Sequence, residues 1–480
     1  MPPKRSKAVA ALPLPGVSPK RPRTTGTSSF AALSRSQGSE RLNRALYQLN
    51  VDLEAGSNSA DWLLDSQEVR SLAEICAKCV AKHVSQLTKQ KRKWDLLPSH
   101  DKNRVLVHVR RLYSEQLTAQ FLEEYFIYAD LTKILFSDLA AVTNHTLSKI
   151  KSTLAGDLTV LDISGCSKIA DANVYKILKR YCKTLQRLNL SRCVHIGNGA
   201  FKDDLAHQFT SLQYLNLSYT QVTAVVVDDF LRCCSELYTL KHTGLKLSDQ
   251  VLKKMLSTRS PLNLKNIRFR HSNLTLAGLH TILQTCPELE RLDLSHNAIK
   301  SLATVPLPSS PQGYKLRKLN LSYADSAVTG TSNGSIHVTQ RYLEHLFEFM
   351  PNLESLYLQG ANGLASWPKP RLKGADQLKV LILSKSDARE FVRHAMQLCP
   401  RLQYLDLRAC TSLKQNGALA KLFQDPKDPD ALASVKCLEL EVLNLSNTGI
   451  SDYDVHIIGL LKGLKVLHLN STSITGRFAV

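Results

Sequence analysis

The stretch that decides the fold is "LTVLDISGC" at residues 158–166, which returns as "LQRLNLSRC" at residues 185–193. Both follow the pattern L-x-x-L-x-L, and the last two leucines share one face of a short strand because side chains alternate along it. Burying such a leucine is worth about 1.5–3 kcal/mol, and only a neighbouring copy can provide the cover. The stretch therefore predicts a stack of similar units.

The pattern recurs along the rest of the chain at a spacing of about 25 residues, the period of a leucine-rich repeat. Amphipathic segments such as 171–185 separate the strands and predict one helix per repeat. We therefore expect an α/β leucine-rich-repeat horseshoe over residues 151–480, of the cysteine-containing, ribonuclease-inhibitor-like type. The twelve copies begin at Leu158, Leu185, Leu212, Leu237, Leu264, Leu289, Leu316, Leu353, Leu378, Leu402, Leu440 and Leu464.

The repeat cysteines occupy two recurring places, directly after a strand or at the end of the preceding helix. Because a free cysteine behaves as a small apolar residue, both places indicate packing. We expect no disulfide scaffold, no metal and no cofactor. The residues concerned are Cys166, Cys193 and Cys410 after strands, and Cys182, Cys234, Cys286 and Cys399 after helices.

Residues 1–60 are predicted to form a disordered basic tail, which carries part of the formal charge of +21. Its composition cannot bury enough apolar surface to fold. Two basic clusters predict nuclear import, and the alternative is a solvated tail without a receptor. With no long apolar run and no secretion signal, we expect a nuclear protein that does not contact a membrane. The clusters comprise Lys4, Arg5, Lys7, Lys20, Arg21 and Arg23.

The concave face of the repeats is the expected binding surface, because strand residues between the leucines point away from the core. Basic residues there indicate an acidic protein, or DNA and chromatin, whereas the apolar ones, if exposed, indicate a protein substrate. The basic set is Lys241, Arg268, Arg270, Arg291 and Lys318, and the apolar set is Tyr357, Val380, Ile382, Tyr404, Val442 and Val466.

The segment "SLAEICAKCV" at residues 71–80 lies in a predicted helical adaptor region, residues 61–150. Its cysteine pair lacks the second pair that zinc needs and lies in mid-helix, unlike a redox pair. The run Ser71-Leu72-x-x-x-Cys76-x-x-x-Val80 matches the BC box through which substrate receptors bind elongin C. Residues four apart line one helix face and can enter an apolar groove. The alternative is an ordinary helix that caps the first repeat.

A second segment, "LLPSHDKNRVLVHVRRL" from Leu96, follows with an amphipathic pattern. Leu97 and Pro98 stand where BC-box receptors contact a cullin, although Asp101 occupies a position that is apolar in the cullin-2 box. The segment also resembles a degenerate F-box, which would bind a Skp1-like adaptor instead of elongin C.

The order of these segments, followed by the helix near "LTAQFLEEYF" at 117–126 and the repeats, resembles the leucine-rich-repeat protein family of fungal global-genome nucleotide excision repair and its plant relatives. The resemblance implies a non-catalytic substrate receptor of an elongin-C cullin ubiquitin ligase that works on damaged chromatin. The open alternatives are an F-box receptor and a repeat scaffold that binds DNA or chromatin without ligase activity. No catalytic constellation is apparent, so we do not expect an enzyme.

Overall fold

The computed structural model describes residues 72–86, 91–257, 262–324, 334–365, 374–414, 418–425, 428–432 and 439–476. The predicted basic tail with its import residues, and Ser71 of the docking motif, lie outside these ranges. The predictions made for them therefore stay predictions.

Within the described ranges, thirteen short parallel strands form one sheet and are hydrogen-bonded in chain order. The middle residue of each strand pairs with the middle residue of the next, as Leu161 does with Leu188. These middle residues are fully buried in most repeats, which is the packing that the leucine pattern predicts. The leucine-rich-repeat fold is confirmed. The strands are β1 Lys133–Leu135, β2 Val160–Asp162, β3 Arg187–Asn189, β4 Tyr214–Asn216, β5 Thr239–Lys241, β6 Asn266–Arg268, β7 Arg291–Asp293, β8 Lys318–Asn320, β9 Ser355–Tyr357, β10 Val380–Ile382, β11 Tyr404–Asp406, β12 Val442–Asn444 and β13 Val466–His468.

The repeat sheet begins earlier than the sequence boundary at residue 151. Strand β1 pairs in register with β2, and a helix at Asn144–Thr153 follows it as in most other repeats. The sequence "LTKILF" at 131–136 is the L-x-x-L-x-L pattern with Ile134 and Phe136 in place of two leucines. Both side chains are buried, so an apolar residue of another shape fulfils the same packing role.

Helices connect most neighbouring strands and bury an apolar face. The helix at Asp171–Tyr181 does so with Val174, Ile177, Leu178 and Tyr181, the spacing expected of an amphipathic helix. The prediction of one helix per repeat fails in the described residues after β3, β7 and β9, where 3-10 turns or extended segments make the connection. In chain order the helices are α1 Leu72–Lys82, α2 Lys91–Asp95, α3 Ser99–Leu112, α4 Ala119–Tyr125, α5 Asn144–Thr153, α6 Asp171–Tyr181, α7 Ala224–Cys233, α8 Asp249–Ser257, α9 Leu276–Thr285, α10 Gln340–Phe349, α11 Arg389–Leu398, α12 Ala418–Phe423 and α13 Val455–Gly459.

Smaller elements lie in the longer connections. A three-stranded parallel sheet joins segments of three repeats, and an antiparallel pair lies in the connection before β12. The small sheet consists of Ser301–Leu302, Ile336–Val338 and Ala361–Asn362, and the antiparallel pair of Gln424–Asp425 and Asp428–Leu432. Short 3-10 helices occur at Ser114–Gln116, Asn198–Phe201, Leu205–Gln208, Ala375–Gln377, Thr411–Leu413 and Asp452–Asp454.

The N-terminal helices α1 to α4 belong to the same apolar core as the first repeat. Trp94 of α2 is buried, stacks edge-on against Phe126 at a ring-centroid distance of 5.3 Å, and donates its indole N–H to the Tyr125 carbonyl at 2.8 Å. Arg110 of α3 donates to the hydroxyl of Ser137, two residues after β1. These contacts place the helical segment on the first strand of the sheet.

The cysteines that follow strands are buried, as predicted. Their thiols donate to a backbone carbonyl of the preceding repeat: Cys193 Sγ lies 3.1 Å from the Ile163 oxygen, and Cys410 Sγ 3.2 Å from that of Leu383. Burial raises the pKa of Cys193 to about 12 and that of Cys410 to about 11, so both thiols stay protonated. They link repeats by packing and hydrogen bonding.

Within the described ranges, no helix is both long and apolar enough to cross a membrane.

Candidate protein-docking surfaces

Helix α1 presents an apolar face outward. Leu72 is 76% exposed, Ile75 is 48% exposed, and Cys76 and Cys79 are exposed. Val80, the last position of the docking motif, is half-buried and packs partly against the core. An exposed leucine four residues before an exposed cysteine is what a helix that enters a groove on another protein needs.

The opposite face of α1 fixes the helix to the rest of the chain. Ala77 and Ala81 are buried, and their small side chains let α1 approach α3 closely. Glu74 and His108 join the two helices, with His108 Nε2 lying 2.7 Å from Glu74 Oε1. Because residues of the buried face hold α1 in place, the exposed face is not needed for packing.

The two proposed cullin-side residues, Leu97 and Pro98, differ in how exposed they are. Pro98 is exposed and directly precedes α3, where a proline is well tolerated. Leu97 is half-buried against the core, whereas its neighbour Leu96 is 84% exposed. Sequence reasoning assigned Leu97 to the partner, but Leu96 is the leucine that offers apolar surface to one.

The concave face carries two rows of side chains, the first and the third residue of every strand. The predicted basic cluster lies here, but an unpredicted acid, Asp293, interrupts it. Arg268 Nε and Arg270 Nε lie 3.5 Å and 4.0 Å from Asp293 Oδ2, and both arginine side chains are only 12% exposed. The prediction of a cluster of one sign is therefore wrong.

The other three basic residues differ in exposure. Lys241 is buried, with its Nζ 5.2 Å from the ring centroid of Tyr214. Lys318 is half-buried, with its Nζ 5.0 Å from the ring of Tyr357. Arg291, the first residue of β7, is exposed.

The idea of an exposed apolar patch in the later repeats is also wrong. Tyr357 is 0% exposed and Tyr404 is 6% exposed, and Ile382 and Val442 are buried as well. Neighbouring strands lie about 4.8 Å apart, so large side chains at the same register cover one another. Of the predicted apolar set, Val380 and Val466 are half-buried and therefore partly accessible.

Two concave-face carboxyls that the sequence reading missed are buried. Asp162 Oδ1 accepts from the Ser164 amide at 3.1 Å and hydroxyl at 2.8 Å, and its Oδ2 accepts from Asn189 Nδ2 at 3.2 Å. Burial raises the pKa of Asp162, while these hydrogen bonds and the charge of Arg110 work in the opposite direction. Burial likewise raises the pKa of Asp406, with Arg408 opposing.

A row of aromatic rings borders the concave face and was also missed. His271 stacks on His296 at a ring-centroid distance of 4.5 Å, and His296 stacks on Tyr323 at 5.2 Å. These residues lie in three successive repeats, two positions after the sixth leucine position. The regular offset is visible in the sequence, but the leucine pattern does not include it.

The sheet and its helices define a leucine-rich-repeat protein with an N-terminal helical segment. No family model matches the chain, and no curated protein matches it. Among solved structures, the chain is similar to an internalin from Listeria monocytogenes, with 17% identity over 75% of this chain and 84% of that chain and a TM-score of 0.40.

Two further similarities extend over much of the chain. The repeat ectodomain of the plant membrane receptor kinase GASSHO1/SCHENGEN3 from Arabidopsis thaliana is 18% identical over 68% of this chain and 40% of that one, with a TM-score of 0.39. Rad7 from yeast, solved in a complex with Elc1, is 16% identical over 86% of this chain and 96% of that one, with a TM-score of 0.34. None of these similarities identifies a partner of the present chain.

Proposed function

We propose that this protein is a substrate-recognition adaptor of an elongin-C cullin ubiquitin ligase. The observation that carries the proposal is the outward apolar face of α1. Leu72 is 76% exposed and Cys76 is exposed, while Ala77 and Ala81 on the other side hold the helix to the chain. A helix whose only purpose was to cap the first repeat would also bury its leucine.

Apolar side chains that face water are unfavourable for α1, and a partner that covers them removes this unfavourable contribution. Burying a leucine side chain is worth about 1.5–3 kcal/mol, and Leu72, Ile75 and Cys76 lie together on the same outward face. The small thiol of Cys76 lets the helix backbone approach a groove closely. The ordered face also reduces the entropy that is lost on binding.

A cullin would approach next to this face. In the proposal, Pro98 and the neighbouring leucines, of which Leu96 is 84% exposed, form its contact. The alternative within the same class is an F-box receptor that binds a Skp1-like adaptor through the same Leu-Pro segment. The two differ in which adaptor recognises α1, because the exposed Leu72 and Cys76 belong to the BC-box pattern alone.

The repeat domain would hold the protein substrate on its concave face. The ligase partner would provide the chemistry by bringing ubiquitin close to the bound substrate, so the chain itself would act by proximity. The family resemblance adds a nuclear role in nucleotide excision repair. The basic clusters at residues 4–7 and 20–23 support nuclear import.

A DNA-binding scaffold without ligase activity is less well supported by the concave face. Arg268 and Arg270 flank Asp293, and Lys241 is buried, so few of the proposed cations face solvent. Phosphate binding would require several accessible cations and would give an affinity that falls steeply with salt.

The test is a pulldown of the full chain with purified elongin C, comparing the wild type with the double variant L72A/C76A. The matched control is L307A/V225A, which also removes two exposed apolar side chains, 77% and 68% exposed, outside α1. We expect the first variant to lose binding at least tenfold and the control to bind as the wild type does. Equal binding by L72A/C76A and the wild type would refute the proposal, and a Skp1-like protein in the same assay tests the F-box alternative.

A further inference from the structure

One position recurs in all thirteen repeats that the structure describes, with the same unusual backbone. It is the second residue after the sixth leucine position, and its φ is positive in every repeat, between 50° and 86°. We call these residues the rungs. They are Asp138, Gly165, Arg192, Tyr219, Gly244, His271, His296, Tyr323, Gly360, Lys385, Ala409, Asn447 and Ser471.

The rungs form a continuous ladder beside the concave face. The rung N–H of one repeat donates to a carbonyl of the next: Tyr219 to Thr243 at 2.9 Å, Gly244 to Arg270 at 2.8 Å and His296 to Ser322 at 3.0 Å. Ring distances of 4.5 Å and 5.2 Å in the series His271, His296, Tyr323 show that neighbouring rungs are one stacking distance apart.

Three rungs are glycines, and two of them are covered by their neighbours. At Gly165, Asp138 and Arg192 form an ion pair across the glycine, and an added Cβ would lie 2.3 Å from Asp138 Oδ1. At Gly360, an added Cβ would lie 2.8 Å from Cδ1 of Tyr323. In both places glycine makes room for a side chain of an adjacent rung.

Gly244 differs from these two glycines. It is exposed, its φ is +86°, and an added Cβ would meet no atom within 4 Å. The rungs on either side are Tyr219, 44% exposed, and His271, also exposed. In the series His271, His296, Tyr323 the rings follow one another at 4.5 Å and 5.2 Å, and from this spacing we infer that a rung without a side chain leaves room for one ring between Tyr219 and His271.

The charges near the gap favour some planar groups over others as its occupant. Lys241 is buried, and Arg268 and Arg270 are only 12% exposed and share Asp293, so these groups contribute a positive potential behind the gap and not a row of exposed cations. Lys246, two residues after Gly244, is the exposed cation of the same repeat. This positive surplus disfavours an arginine guanidinium and favours an aromatic ring in an acidic segment. A nucleic acid strand stacks successive bases on successive platforms. Here the rings of His271, His296 and Tyr323 already stack on one another. A strand of bases would therefore find a single place for a ring next to them, beside Gly244, and not a series of platforms.

We propose that the gap at Gly244 binds one aromatic side chain of an acidic peptide segment, between Tyr219 and His271. This inference rests on the proposed function, because it names the class of protein substrate that the concave face would take. A single buried aromatic anchor surrounded by weaker polar contacts is a common arrangement for protein recognition.

The test is fluorescence anisotropy of the full-length chain with short fluorescein-labelled peptides of Asp, Ser and Gly that carry one central Trp, Tyr or Phe. The comparison peptides replace the aromatic residue by Ala, or the acids by Asn, and oligothymidylate of the same length is a further probe. We expect the best aromatic acidic peptide to bind about tenfold more tightly than its Ala version. Equal affinity of all aromatic peptides and their Ala versions, or tighter binding of oligothymidylate, would overturn the proposal.

Variants test whether the preference for the aromatic peptide arises at Gly244. Gly244→His fills the gap with a residue that the next two repeats already hold at this position, and it should remove the preference for the aromatic peptide. Gly476→His is the matched control, because Gly476 also has a positive φ, +73°, and nothing within 4 Å of an added Cβ. Tyr219→Ala keeps the glycine and should lower affinity several-fold. Unchanged preference in both Gly244→His and Tyr219→Ala would contradict the assignment.

The two proposals fail in distinguishable ways. Gly244→His should bind elongin C as the wild type does, since α1 is untouched. Loss of the aromatic preference with elongin C binding retained supports the gap as a site. Absence of the preference in a wild type that still binds elongin C removes this inference alone, whereas a wild type that shows the preference but never binds elongin C removes the proposed function alone.

Discussion

The two described ends of the repeat array differ in how their last strand is covered. At the N-terminal end, helices α1 to α4 cover β1, and Ile134, Leu122 and Phe126 are at most 1% exposed. At the other end, every residue of β13 is half-buried. The neighbouring apolar residues there are half-buried too, namely Leu464, Leu469 and Ile474.

This difference shows how one helical segment serves two purposes. In a repeat array each unit is stabilised by its neighbours, so a terminal unit needs a different cover. Helix α1 takes part in that cover with Ala77 and Ala81 and leaves Leu72 and Cys76 outside. A partner can therefore attach at the N-terminal end without disturbing the core of the array.

The largest effect is expected at the covered end. Trp94→Ala should lower the free energy of unfolding by about 3–5 kcal/mol, because it removes a buried indole, its stacking on Phe126 and its hydrogen bond. Urea unfolding followed by circular dichroism measures this, with Tyr453→Ala as a control at a 76% exposed ring. Equal midpoints for the two variants would show that the helices do not stabilise the first repeat.

Two leucines at the same repeat position allow the stability of the interior of the array to be compared with that of its less covered end. Leu188→Ala, in the middle of β3, should cost about 2–5 kcal/mol, whereas Leu467→Ala, in the middle of β13, should cost about half as much. Both leucines occupy the same position of the repeat. The same urea experiment ranks them, and an equal loss would mean that β13 is buried in solution.

A smaller effect is expected from pH next to the covered end, because it depends on the protonation of one buried carboxyl group. The raised pKa of Asp162 means that its carboxyl takes up a proton more readily in the folded than in the unfolded chain. Folding therefore gains stability from this group as pH falls through its folded pKa and loses it as pH rises. The stability of the wild type relative to Asp162→Asn should grow from neutral to acidic pH, and a constant difference would argue against the burial effect.

The smallest effect is expected on the exposed face of α1. The double variant L72A/C76A should change the free energy of unfolding by no more than about 0.5 kcal/mol, because both side chains face solvent. Thermal unfolding of this variant beside the wild type measures it. A loss of several kcal/mol would mean that α1 is a core helix after all.

The fold was largely predictable because its signal is local and repeated. Leucines of the L-x-x-L-x-L pattern, such as Leu188, and helix residues such as Ile177 are buried as their spacing indicates. The first repeat escaped detection because Ile134 and Phe136 stand in for leucines. The candidate sites were less predictable, because exposure depends on what the neighbouring repeats place beside a residue, as Tyr357 and Asp293 show.

The amino-acid sequence alone determined the repeat period, the parallel sheet, the packing role of the cysteines and the helix around the predicted docking motif, because each depends on spacing along the chain. Only the tertiary structure decided that Leu72 and Cys76 face outward, that Asp293 lies between Arg268 and Arg270, and that Gly244 is uncovered while Gly165 and Gly360 are not. These properties arise between residues that are one repeat or more apart. Stacking brings them within a few ångströms of each other, and the sequence pattern carries no record of which side chains then meet.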